Sequence, residues 1–239
     1  MKDLQIIFED ENLIAINKPP LILTIPDRFD KAKDNLFSFL QNKFGNIFVV
    51  HRLDKETSGI ILFAKNPEAQ KKLNLQFEDR LIERKFLAIV VGSPKEMSGE
   101  INLPILESEK LKGIVEISNH GKKSVTQFNV LEKFRHFALV EYSPKIGRMH
   151  QIRIHAAHTG NPIVADSLYG NSPEFNLSTI KKYYKQKKFE NESPIIKRCA
   201  LHGKSISFQS LNGNEKIELS AHLPRDFSAL LKSLQKYDS

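Results

Sequence analysis

The sequence predicts an α+β protein with a mixed, mostly antiparallel sheet flanked by helices. Three observations predict it. Strand-length apolar segments outnumber helical ones, the two kinds do not alternate regularly, and no internal repeat or heptad pattern is present. At 239 residues, 40% hydrophobic and 27% charged, the chain can bury a sizeable core as one domain, in two lobes sharing a cleft.

The elements follow in order. Leu4, Ile6, Ile7 and Phe8, the polar turn Glu9–Asn12 and then Leu13–Ile16 read as a hairpin, stopped by Pro19 and Pro20. A helix is predicted over Asn35–Phe44, with Leu36, Phe39, Leu40 and Phe44 on one face. Ile47–His51 and Gly59–Ala64 read as strands around the polar segment Arg52–Ser58. Asn66-Pro67 opens a helix to about Arg80, with Leu73, Phe77 and Leu81 as its buried stripe. Phe86–Val91, Gly99–Leu106, Lys123–Leu131 and Phe137–Ser143 read as strands, and Met149–His158 as a helix stopped before Gly160. Ser178–Phe189 is a lysine-rich helix or a solvated insertion, within a stretch, Tyr169–Lys197, that shows no core pattern. Cys199–Phe208 and Lys216–Leu219 return to strand, and Asp226–Lys236 closes with an amphipathic helix.

Composition narrows the setting. No segment approaches the roughly 18–20 apolar residues that span a bilayer, and the start does not resemble a signal peptide. The lone Cys199 excludes an internal disulfide and fits a reducing compartment, so the cytoplasm is expected. Thirty-six Lys and Arg against 28 Asp and Glu give a net charge of +8, which favours a polyanionic partner. With no Trp and 16 Phe, any base-stacking surface is expected to use Phe, Tyr, His or Arg.

His51-Arg52-Leu53-Asp54-Lys55-Glu56-Thr57-Ser58-Gly59 joins two apolar strands, where functional loops commonly sit. Spacing alone favours a tight connection, with Asp54 and Thr57 bonded to local amides and Gly59 supplying an unusual dihedral. This stretch resembles the HRLDxxTSG signature of the RluA-type pseudouridine synthases at every specified position. Pro144–Gly170, PKIGRMHQIRIHAAHTGNPIVADSLYG, is similar to that family's GRTHQIRxHxxxxGxPIxGDxxYG block. Arg84–Gly92, the opening IIFEDENLIAINKP, Leu201-His202 and LPRDF extend the likeness over nearly the whole chain.

The resemblance implies the pseudouridine synthase catalytic fold with a central RNA-binding cleft. It implies conversion of uridine to pseudouridine in structured RNA, without metal or cofactor. Asp54 is then the catalytic carboxylate, either a nucleophile or a base at the sugar. Arg153 is its partner, holding the carboxylate ionised and oriented; the alternative for Arg153 is a phosphate contact. Arg52 matches the arginine that helps displace the target base, or else it clamps a phosphate. Phe86 stands where relatives carry tyrosine; it keeps the stacking face and cannot exchange a proton, and its other reading is a core strand residue. Arg148, His150 and Gln151 complete the RNA-binding set. Ile146 and Met149 replace usual threonines, and Ala165 replaces the glycine usual before Asp166.

The spacing of His150, His155 and His158 lacks the pattern of a zinc-hydrolase helix, and neither a serine-hydrolase elbow nor a phosphate-binding loop is present. The remaining rival is a non-catalytic RNA-binding or RNA-folding protein on the same fold. The catalytic pattern begins almost at Met1, so no separate S4-type module is expected. Thr24-Ile25-Pro26-Asp27-Arg28 resembles the short branch acting on tRNA anticodon stem-loops and a 23S rRNA hairpin. The expected partner is therefore a stem-loop of tRNA, rRNA or both, bound by a monomer, with no DNA or membrane involved. Lysines in Lys181–Lys188 either extend the phosphate track or are simply solvated.

Overall fold

The computed structural model describes residues 4–28, 30–170, 172–184, 192–213 and 215–239. The chain opens as the expected hairpin, β1 (Gln5–Glu9) against β2 (Leu13–Lys18), with Asp10 Oδ1 accepting from the amides of Asn12 and Leu13 to set the turn. Helix α1 (Leu36–Phe44) starts where the Asn35 side chain accepts from the Ser38 amide, and ends at Gly45 with φ 75°. The short β3 (Phe48–Val49) precedes β4 (Ser58–Ala64), all seven residues of which are buried. Helix α2 (Pro67–Glu78) is capped by Asn66, whose side chain accepts from the Ala69 amide, and has proline in its first turn. Its inward residues are Ala69, Leu73 and Gln76, whereas Leu81 lies beyond the helix and is exposed. The apolar stripe misplaced Leu81 because the helix stops at Glu78, and Gln76 turns inward because its amide is bonded to both backbone groups of Gln209.

β5 (Glu83–Val91) is followed by β6 (Ser98–Asn102) and β7 (Ile105–Glu107), where one strand was expected. Leu103-Pro104 divides them, since proline supplies no amide to a ladder. β8 (Val115–Ile117), which pairs with β7, was not anticipated; three residues are too few to show a period. β9 (Val125–Lys133), β10 (Phe137–Pro144), α3 (Gln151–His158), β11 (Leu201–Gln209), β12 (Lys216–Ser220) and α4 (Arg225–Tyr237) match expected elements. The basic segment expected over Ser178–Phe189 begins with a single 3-10 turn, Leu177–Thr179; from residue 185 it lies outside the described residues. No helix among the described residues is long and apolar enough to cross a membrane.

The chain divides into two compact units, and the boundary falls inside β5. The first comprises the N-terminal part to Phe86 with His202–His222. Here β4 is the central strand. β2 runs antiparallel along it from Leu13 opposite Ala64 to Lys18 opposite Gly59, and β11 pairs parallel to its start, Gly203 beside Gly59. β3 pairs with its end, and β12 pairs with β11. Leu13, Ile60, Leu62, Leu73, Ile206 and Phe208 form the core of this unit. One parallel pairing among antiparallel ones makes the sheet mixed.

The second unit comprises Leu87–Leu201 and Leu223–Ser239. β9 pairs antiparallel with both β10 and β6. Helix α4 is fixed at both ends: Arg198, 1% exposed, makes a two-point ion pair with Asp226, and Asp238 accepts from the His136 amide and bonds the His136 ring.

Candidate active site

In the first unit the loop carrying Asp54 is fixed by buried partners along its length. At its start, His51 Nε2 accepts from the Leu62 amide at 2.9 Å, which places the ring proton on Nδ1. Leu53 is held at both backbone groups by the hydroxyl of Thr24, which accepts from its amide at 3.2 Å and donates to its carbonyl at 2.8 Å. The ammonium of Lys18, fully buried, donates to the carbonyls of Pro19, Ile22 and Lys55. The Thr57 amide closes a turn onto the Asp54 carbonyl, and Ser58 Oγ bonds the ring of buried His202 at 3.0 Å. Asp54 therefore sits, half-buried, on a backbone whose polar groups are engaged on either side. Arg52 projects into solvent.

Gly59 ends this loop with φ 118°, beside Gly203; a Cβ there would run into the Gly203 backbone. The close approach is what the position requires of glycine. A Cβ on Gly203 would lie 3.6 Å from the Phe86 ring, so Phe86, 7% exposed, packs beside the glycine that Gly59 approaches. His51 is pushed down to about 3, first by burial and then by the charge of Arg84. Burial also lowers Arg84 to about 10, which leaves it protonated at neutral pH, with its guanidinium 5.5 Å from the Phe77 ring centre.

The second unit gathers Arg148, His150, Gln151 and Arg153 at the start of α3. Gln151, expected to contact RNA, is 3% exposed and its amide is engaged internally: Nε2 donates to the Val125 carbonyl and the Thr126 hydroxyl, while Oε1 accepts from the Arg148 amide. It clasps the Arg148 backbone to β9. Arg148 Nε donates to the Lys123 carbonyl. His150 takes φ 52°, and its Nδ1 bonds the Tyr169 hydroxyl at 2.9 Å. That hydroxyl also accepts from the Val115 amide, tying α3 to β8.

Arg153, 3% exposed, meets Asp166 in a buried two-point pair, Nε to Oδ2 at 2.8 Å and Nη2 to Oδ1 at 2.6 Å, and lies over the Tyr169 ring. Asp166 also accepts from the amides of Leu168 and Tyr169. Burial pushes its carboxyl up, but the bonds and charge of Arg153, with the two amides, outweigh it and hold the group below the usual carboxylate range. Ala165, at φ 57°, takes the left-handed turn that glycine would take more easily, so the substitution leaves the turn in place. Among the described residues no cluster of three His, Cys, Asp or Glu side chains is placed to hold a metal ion.

Sequence reasoning grouped Arg52, Asp54 and Phe86, which the structure places in the first unit, with Arg148, His150, Gln151 and Arg153, which it places in the second. It left out Thr24, Lys18, His202, Asp166 and Tyr169. Asp166 and Tyr169 lie inside the second motif block, and His202, Lys18 and Thr24 in shorter ones, which was the available signal; the long-range bonds through which Thr24 and Lys18 act are not visible in those blocks.

Residues 12–158 match the family model described as RNA pseudouridylate synthase, and the chain belongs to that family. It is an RNA pseudouridine synthase, an isomerase of uridine in RNA. The dual-specificity RNA pseudouridine synthase RluA of Vibrio vulnificus (strain CMCP6) is 37% identical over 180 residues, 73% of this chain and 72% of that protein. The ribosomal large subunit pseudouridine synthase C of Rickettsia bellii (strain RML369-C) is 34% identical over 230 residues, 93% of this chain and 69% of that one. The solved structure of human RNA Pseudouridylate Synthase Domain Containing 4 superposes with a TM-score of 0.74 at 26% identity, covering 96% of this chain and 92% of that one. Human RNA Pseudouridylate Synthase Domain Containing 1 shares the fold, with a TM-score of 0.68 at 22% identity over 99% and 97% of the two chains.

Proposed function

We propose that the protein isomerises a uridine in a stem-loop of large-subunit rRNA, of tRNA, or of both, with Asp54 as the catalytic carboxylate. The observation that carries this reading is the anchoring of the Asp54 loop by Thr24, Lys18, His51 and Ser58. A carboxylate that must meet one atom of a flipped nucleotide gains from a backbone that does not have to reorganise. Arg153 supplies positive charge to the same uridine and its carboxylate, with Asp166 fixing the plane of its guanidinium. Arg52 stacks in place of the extruded base, Phe86 offers a ring face to the uracil, and Arg148 takes a phosphate while Gln151 holds its backbone. Phe86 has no hydroxyl, so the proton leaving C5 passes to Asp54 or to water. The Rickettsia relative is named for the ribosomal large subunit and the RluA relative for dual specificity, which supports large-subunit rRNA and a second RNA as substrates. The protein works as a cytoplasmic monomer.

The test is pseudouridine mapping of total tRNA and rRNA from cells with and without the protein, complemented with wild type or Asp54→Asn. Loss of one or a few pseudouridines, restored by wild type alone, is expected. Restoration by Asp54→Asn would remove Asp54 from the catalytic role.

A further inference from the structure

The second unit contains a cavity of about 530 Å³ that none of the candidate site residues lines. It lies on one face of the sheet, over the directly paired residues Phe128 and Tyr142 of β9 and β10, with Ile101 of β6 beside them. The loop after β5, with Lys95, and the turn after α3, with Asn161, complete its walls. Its size is in the range of small-molecule sites.

Three details give it the character of a binding site. Tyr142 is 1% exposed and lines the cavity, and its hydroxyl makes no hydrogen bond to another described residue and is not one of the buried unpartnered atoms, so it is free to bond what enters. Asn161 donates from Nδ2 to the Val91 carbonyl at 3.1 Å, which fixes its amide and leaves Oδ1 without a protein donor among the described residues. Gly99 sits opposite Phe128, where a Cβ would come within 2.9 Å of the ring, so the absence of a side chain there gives the ring its place.

We propose that this cavity receives an unpaired nucleobase of the bound RNA, distinct from the uridine that is isomerised. This rests on the reading of the protein as an enzyme of structured RNA. The phenol offers a donor and the Asn161 carbonyl an acceptor, and every base edge presents an adjacent acceptor and donor. The Phe128 ring offers a stacking face. An aliphatic side chain from a protein partner would fill the space and leave both polar groups unpaired, which disfavours it. At the rim, Lys95 and Glu96 carry opposite charges, and Lys133, whose Nζ lies 3.5 Å from the Pro94 carbonyl, adds a cation for the flanking phosphates.

The test has two arms, each with wild type, Phe128→Ala and Tyr142→Phe. In the first, AMP, GMP, CMP and UMP are titrated separately and followed by saturation-transfer NMR. Transfer to the base protons of at least one nucleotide is expected with wild type, and its loss with Phe128→Ala. In the second, pseudouridine formation is measured on total RNA from cells lacking the protein. At subsaturating RNA both variants should be slower, Phe128→Ala by about tenfold, while saturated rates stay unchanged. Tyr142→Phe should keep or slightly raise Tm, because it removes an unpaired hydroxyl, and so it guards against a Phe128→Ala variant that fails to fold. Rates equal to wild type at every RNA concentration in folded variants, or nucleotide signals that persist in Phe128→Ala, would overturn the proposal. A wild type that does not isomerise this RNA would instead contradict the RNA reading, and the nucleotide arm would still decide the cavity.

Discussion

Asp166→Asn probes the buried ion pair that fixes the guanidinium of Arg153. The carboxylate receives the Nε and Nη2 of Arg153 at 2.8 and 2.6 Å, the Leu168 and Tyr169 amides at 2.9 and 3.1 Å, and the Cys199 thiol at 3.6 Å. Asparagine keeps the shape and supplies one acceptor. With its oxygen at the Oδ1 position it retains Nη2 and the two amides, but its NH2 then faces Arg153 Nε and the thiol, donor against donor. Reversed, it loses three donors. In either orientation the negative charge beside a buried guanidinium is gone. Removing one partner of a buried pair costs about 3–5 kcal/mol, and each kcal/mol lowers Tm by roughly 2–4 °C in a chain of this size. The expected fall is therefore about 10 °C by differential scanning fluorimetry at pH 7. Because the carboxyl is held below its ordinary value in the fold, its stabilisation is complete above the unfolded-state value. It is lost as pH falls through the lower folded value. The difference between wild type and variant should therefore shrink below about pH 4. A Tm within about 3 °C of wild type at pH 7 would refute the reasoning.

Further outcomes follow from the first unit. Gly59→Ala drives a methyl group into the Gly203 backbone at φ 118° and should yield insoluble protein or a loss above about 4 kcal/mol; a soluble variant with unchanged denaturant midpoint would contradict the close pairing. Thr24→Val preserves volume but strips Leu53 of both hydroxyl bonds, and should lower kcat roughly ten- to a hundredfold with little change in KM. Equal kcat would show that the Asp54 loop needs no such support. His51 is depressed to about 3, so the unfolded chain binds its proton first. Its stabilisation is full above about pH 6.5 and is lost toward pH 3, by up to about 1.4 kcal/mol per pH unit. Urea midpoints measured across that window should fall in wild type and flatten in His51→Leu.

Much of the fold was legible because its signals are local. Asn35 and Asn66 cap the helices they precede, Pro67 and Gly45 mark a start and a stop, and unbroken apolar runs identify β4 and the second half of β5. Leu103-Pro104 divides β6 from β7, although the apolar residues on either side of it continue one strand-like pattern. β8 carries no period at three residues and exists only through β7. The HRLD stretch singled out Asp54 through its likeness to a family, and the proposed role of that carboxylate rests on the likeness.

What holds Asp54 and Arg153 in place was not legible. Thr24 reaches Leu53 across 29 positions, His202 reaches Ser58 across 144, and Asp166 pairs with Arg153 from beyond the end of α3. The sequence by itself determined which elements form and which residue types the reaction needs, because caps, periodicity and motif chemistry act over a few neighbouring positions. Only the tertiary structure decided that Gln151 turns inward, that Gly59 must be glycine, and that Tyr142 lines a cavity with its hydroxyl unpaired among the described residues. These depend on which distant backbone or ring arrives opposite, and burial makes each such meeting strongly favourable or strongly unfavourable according to whether its polar groups find partners.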